Sequence, residues 1–224
     1  RGLDALNYAC YQDARFMVVA TPSGISLGPE GGAHQSISTP LIGMAQDGLA
    51  SFEPAFADEL AAIMAWSFDY MQRDGEAAAD EKNWLRDEKG GAVYLRLSTR
   101  VLEQPRREMT PMLRDEIIQG GYWLRPPGPS CKVAIVCAGW QAAGRARERG
   151  QHGAQSHVER LLGQLPRDAA LVTGLDGHPV TLSWLGGVCG QRVKALGVEH
   201  FGQSGNLEDL YRAYGLDSQA ILSA

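Results

Sequence analysis

The chain has 224 residues, 44% of them apolar and 21% charged, which is enough apolar material to bury one large core or two modest ones. Its net charge of −5 excludes a dominant nucleic-acid surface, since Arg145, Arg147 and Arg149 cluster only around the intervening Glu148, with Glu159 nearby. No signal-peptide pattern opens it and no apolar run approaches the roughly 20 residues that span a bilayer, so neither nucleic acid nor membrane is an expected partner.

In chain order, Leu6 to Tyr11 reads as the close of a helix, and Ala14 to Ala20 as a short buried strand built on Phe16-Met17-Val18-Val19-Ala20. Ile42 to Ala45 fits either strand or turn. The strongest helix runs from Pro54 to Gln72, with Phe56, Leu60, Ile63, Met64, Phe68 and Met71 on one stripe. Pro54 is tolerated at its start, and Asp58 and Glu59 suit the positive end of its dipole. That stripe is read as core or as a subunit contact. Residues 74–91 read as an exposed connection, Ala92 to Ser98 as a strand of period two, and Met109 to Gln119 as a short helix.

Pro126-Pro127-Gly128-Pro129 is the sharpest punctuation, and it places a linker at 109–130 between units 1–108 and 131–224. Beyond it, strands at Lys132–Ala138, Ala169–Thr173 and Arg192–Val198 alternate with helical stretches. Those stretches are Trp140–Gly150, Val158–Leu165, Val180–Val188 and Leu207–Tyr214. Strand–helix alternation implies a parallel or mixed sheet, hence an α/β fold.

The chemistry-bearing segment lies after the first strand, in Gly28-Pro29-Glu30-Gly31-Gly32-Ala33-His34-Gln35-Ser36. Glycines let such a backbone approach a ligand closely, and a histidine there can donate, accept or change charge near neutral pH. A lone loop histidine serves either as a structural hydrogen-bonder or as a catalyst, and the residues alone leave both open. His178 and His200 read as turn or capping residues, and His152 and His157 as parts of a polar helix entry. Cys10, Cys131, Cys137 and Cys189 form no CxxC pair, and no histidines fall at ligand spacing. Reduced thiols, a cytoplasmic setting and no metal ligands are expected. Neither a GxSxG elbow nor a phosphate loop occurs.

Glu30-Gly31-Gly32-Ala33-His34-Gln35 resembles the Glu-x-Gly-x-x-His-Gln segment of the pyrimidine domain of transketolase-superfamily, thiamine-diphosphate-dependent enzymes. Phe52-Glu53-Pro54-Ala55-Phe56 and Arg96-Leu97-Ser98-Thr99-Arg100 are similar to the homodimeric decarboxylating first component of pyruvate dehydrogenase. So is the closing Phe201-Gly202-Gln203-Ser204. The resemblance implies the end of a pyrimidine-binding domain followed by a transketolase C-terminal-like, three-layer α/β domain. It implies thiamine diphosphate and magnesium as cofactors. Its implied partners are pyruvate, a homodimer mate and a lipoyl-bearing acetyltransferase component. It places His34 beside the cofactor's thiazolium and the substrate-derived oxygen, with Gln35 and Ser36 orienting the loop or lining the pocket. Glu30 then caps a turn or binds the histidine, the structural role being favoured.

Two departures qualify this expectation. The Gly-Asp-Gly to Asn-Asn segment that holds diphosphate and magnesium in the family is absent from the sequence. So is the glutamate that activates the aminopyrimidine. At Gly139-Trp140 one helix and one strand of the resembled domain are missing, which should leave the second sheet's edge or core partly uncovered. Beginning at Arg1, the chain is expected to be part of a longer polypeptide. The expected function is therefore a fragment or truncated paralog of that enzyme, inactive alone. Alternatives are a non-catalytic assembly or regulatory module, or a relative acting on another 2-oxo acid or a ketose.

Overall fold

A computed structural model describes residues 2–21, 24–76, 88–98, 100–137, 155–202 and 204–224. Strands β1 (Met17–Ala20), β2 (Leu49–Phe52) and β3 (Ala92–Arg96) form a parallel sheet in the order β1-β3-β2, with Val19 and Phe52 both opposite Leu95. β3 is the centre strand and every one of its residues is buried. Period two was its sequence signature. Tyr94 and Arg96 are nonetheless buried too, because this sheet is covered on both faces.

Helix α1 (Gly2–Tyr11) covers one face, placing Leu6 and Cys10 against Leu49 and Tyr94. Helix α2 (Thr39–Ala45) follows the His34 loop. Helices α3 (Ala57–Gln72) and α4 (Pro111–Ile118) cover the other face, where Ile63, Trp66, Tyr70, Ile117 and Ile118 surround Phe52, Val93 and Leu95. Trp66 stacks on Tyr70 at 4.6 Å and meets Phe52 edge-on at 5.4 Å. The α3 stripe is thus core at Ile63, while Phe68 is 54% exposed. α3 starts where the buried Glu59 carboxylate accepts the Ala55 and Phe56 amides at 2.8 and 3.3 Å. Arg107 grips this corner with Nε 2.7 Å from Asp58 and Nη2 3.0 Å from Glu59. Segment 101–110 is thereby strapped to the first unit.

Across residues 109–130 the chain touches both units. α4 packs into the first core, and Trp123 donates its indole N–H to the Leu161 carbonyl at 3.3 Å in the second. The second sheet contains β4 (Val133–Cys137), β5 (Ala170–Gly174) and β6 (Val193–Leu196), parallel and in that order. Helices α5 (His157–Leu162), α6 (Val180–Ser183) and α7 (Gly186–Cys189) cover one face. They bring Val158, Leu162, Leu182 and Leu185 onto Ala134 and Leu171. The single helix expected over Val180–Val188 is two short ones, with the buried Leu185 at their junction.

On the opposite face Val133 and Ile135 are 53% and 52% exposed, and among the described residues β4 pairs only with β5. The expected deletion at Gly139-Trp140 and the helical stretch Trp140–Gly150 lie outside the described residues. The closing helices are α8 (Leu207–Ala213) and α9 (Ser218–Ser223). α8 packs on the His34 loop, where Leu210 meets Ile25 and Val198.

Candidate functional site

The loop that leaves β1 is wound into two short 3-10 turns, Ile25–Glu30 and Gly32–His34, closed by local bonds such as His34 N–H to the Gly31 carbonyl at 3.0 Å. The four sequence-nominated residues separate into two environments. Glu30 and His34 are exposed, Ser36 is half-buried and Gln35 is fully buried. His34 is exposed, and among the described residues its imidazole makes no hydrogen bond or ion pair, which leaves the ring nitrogens available to donate and accept.

Gln35 anchors the loop, its side chain pointing under the second unit. The Tyr214 hydroxyl lies 3.4 Å from Gln35 Oε1 and 3.3 Å from the His200 carbonyl, so one phenol joins the His34 loop to the Phe201-Gly202 turn. That turn needs glycine: a Cβ on Gly202 would sit 2.0 Å from Gln35 Oε1 and 2.1 Å from the Tyr214 hydroxyl. Ser36 contributes its carbonyl to the Thr39 hydroxyl at 3.4 Å, at the entry to α2. Glu30 has no side-chain hydrogen bond among the described residues, so neither proposed role, capping a turn or holding the histidine, is seen for it.

Sequence reasoning missed the ionic centre behind the loop. Arg96, at the end of β3, is buried; its Nη1 pairs with Glu53 just after β2, and its Nη2 donates to the Asp176 carbonyl at 2.6 Å. Burial pushes the Glu53 carboxyl up from its ordinary value, with Asp176 adding to the rise and Arg96 opposing it. Arg96 Nε has no hydrogen-bond partner among the described residues. The available signal was a charged residue at the carboxyl end of each of two buried strands, where α/β sheets gather functional groups. Arg100, also from the quoted motif, donates to the Tyr211 hydroxyl at 2.7 Å and lies 5.0 Å over that ring.

The other histidines take local roles. His178 Nδ1 accepts the Val180 amide at 3.2 Å, closing its own turn, and His157 Nε2 sits 2.6 Å from the Gly121 carbonyl. Among the described residues no three His, Cys, Asp or Glu side chains converge to hold a metal ion. No described helix is long and apolar enough to cross a membrane. The described residues do not by themselves fit thiamine diphosphate with magnesium: they offer an exposed imidazole on a braced loop and no acidic cluster for the cation.

No family model matches the chain. A curated transketolase, plasmid-borne, from Cupriavidus necator is 26% identical over 99% of this chain and 32% of its own length. Among solved structures, a point mutant of the Pichia stipitis transketolase superposes with a TM-score of 0.67 at 17% identity, covering 98% of this chain and 31% of that one. A split-gene transketolase, solved as an inactive β4 tetramer, superposes with a TM-score of 0.63 at 19% identity over 100% of this chain and 70% of that one. The fold is transketolase-like, and the curated relative supports the transketolase superfamily. The chain spans about a third of the length of the full transketolases it matches.

Proposed function

We propose that this chain supplies the pyrimidine-side wall and the closing domain of a thiamine-diphosphate-dependent enzyme. It acts only together with a segment or subunit that holds the cofactor's diphosphate and magnesium. The observation that carries this reading is the split within the His34 loop: Gln35 is fully buried under the second unit while His34 is held out to solvent beside it. A braced loop that offers an unengaged imidazole is half of a site. The split-gene transketolase, of which this chain covers 70%, was solved as an inactive β4 tetramer, a precedent in that protein for a partial chain standing alone.

The chemistry proposed for the completed site is oxidative decarboxylation of pyruvate with acetyl transfer to a lipoyl group, within a homodimer. The motifs through Glu53 and Arg96 support it. The cofactor, held elsewhere, would supply stabilisation of the carbanion. His34 would place an N–H against the oxygen on which negative charge grows, where a fixed donor stabilises the transition state more than the ground state. Two-carbon transfer from a ketose is the second reading, favoured by the 26% identity with a curated transketolase.

The test combines the chain with a diphosphate-binding subunit of such an enzyme, thiamine diphosphate and magnesium, and follows turnover of pyruvate with ferricyanide as oxidant. A ketose phosphate with an aldose acceptor is run in parallel. The pair should turn over and the chain alone should not, and His34→Ala should lower kcat by about 10²–10³. Pyruvate consumption by the isolated chain would overturn the half-site reading; ketose turnover alone would select the second one.

A further inference from the structure

We infer that Asp176, on the second unit, is the positioning residue of the His34 loop and sets how the imidazole is presented from across the domain boundary. The inference rests on the proposed role of His34 and adds the group that holds it. The internal bonds of the loop are those of 3-10 turns, which are short-range and weakly cooperative, so its orientation must be imposed from outside.

Residues 176–178 impose it. At the loop's entry the Asp176 carboxylate accepts the Ile25 amide at 2.6 Å, the Ser26 amide at 3.2 Å and the Ser26 hydroxyl at 3.1 Å. At its exit the His178 amide donates to the Ile37 carbonyl at 2.9 Å. Asp176 and His178, two residues of one turn, thus hold both ends of the other unit's site loop. The approach is close enough that a Cβ on Gly24 would lie 2.1 Å from Asp176 Oδ1, so the loop meets the carboxylate with bare backbone.

The holder is itself held. Arg96 donates to the Asp176 carbonyl, and the Gly177 carbonyl accepts the Val198 amide at 2.8 Å, fixing the turn to the segment that follows β6. A carboxylate accepting three hydrogen bonds is among the stronger neutral-to-ion anchors available to a loop. Asp176 and His178 are engaged separately. The aspartate faces the loop entry, and the imidazole closes its own turn at Val180.

The experiment needs only the full chain, without cofactor. Amide exchange at Ile25 and Ser26 and the imidazole C–H signals of His34 are recorded by NMR for the wild type, Asp176→Ala and Asp176→Asn. Leu165→Ala, which opens the second core away from the loop, is the control. Asp176→Ala should speed exchange at both amides by about tenfold or more and shift or broaden the His34 signals. Asp176→Asn, which keeps one acceptor oxygen without the charge, should fall between, and Leu165→Ala should lower stability without moving His34. If Asp176→Ala does not fold, Asp176→Asn decides alone. Wild-type exchange and His34 signals in the decisive variant, or an equal displacement of His34 in Leu165→Ala, would overturn the inference. A chain that never joins a thiamine enzyme would still show the expected signals, so the two ideas fail separately.

Discussion

Among the described residues the two sheets have the same size and the same parallel pairing, yet they are covered differently. The first is sandwiched between α1 and the α3–α4 pair, and its centre strand is buried throughout. Among the described residues the second has helices on one face, and Val133 and Ile135 of β4 are half exposed on the other. Its closing helix α8 lies on the loop of the first unit, with Leu210 against Ile25 rather than among the side chains of the second core. The second unit reads as a brace for the first one's loop.

The sharpest way to break this arrangement is at the ionic centre shared by the two units. Arg96→Ala removes the cation of a buried pair and leaves Glu53 without its partner. The expected loss is about 3–5 kcal/mol in denaturant unfolding, with separation of the two units. The contrast between sheets is measured next. Leu95→Ala in the sandwiched sheet should cost about 2–5 kcal/mol, and Ile135→Ala at a half-exposed position of β4 under about 1 kcal/mol. Equal losses would mean that Ile135 is covered in solution.

The smallest effect is in the pH dependence. Glu53 has its folded pKa raised, chiefly by burial, so its contribution is full below the ordinary carboxylate range and fades as pH rises through the raised value. Asp58, lowered chiefly by its bond to Arg107, works the other way: its contribution is present above the ordinary range and is lost as pH falls. Unfolding curves against pH should therefore lose their decline toward neutral pH in Glu53→Gln and their acid-side decline in Asp58→Asn. The same limb missing from both variants would contradict these assignments.

The local features of this molecule were legible and the long-range ones were not. Glycine punctuation around His34 marks the loop, and α3 and β3 announce themselves by period. β2 escaped notice because Leu49–Phe52 is four residues long and carries a serine, too little for a pattern to show. Gln35 reads as either orienting the loop or lining the pocket until its partner is known, and Tyr214 lies 179 positions away. Arg96 and Asp176 are likewise joined only by tertiary structure, 80 positions apart. Phe68 keeps perfect helical spacing with the core stripe and still points to solvent, because helical period specifies a face and not what covers it.

The strand order β1-β3-β2 has a consequence for how the chain comes into being. β1 and β2 are not neighbours; among the described residues each pairs only with β3, and Val19 and Phe52 meet the same leucine. The β1–β3 and β3–β2 ladders therefore both form only after Arg96 has emerged from the exit tunnel, although β1 and β2 are made much earlier. Both pairings are non-local, so they come late in synthesis and slowly in folding, the stage at which misassociation is most costly.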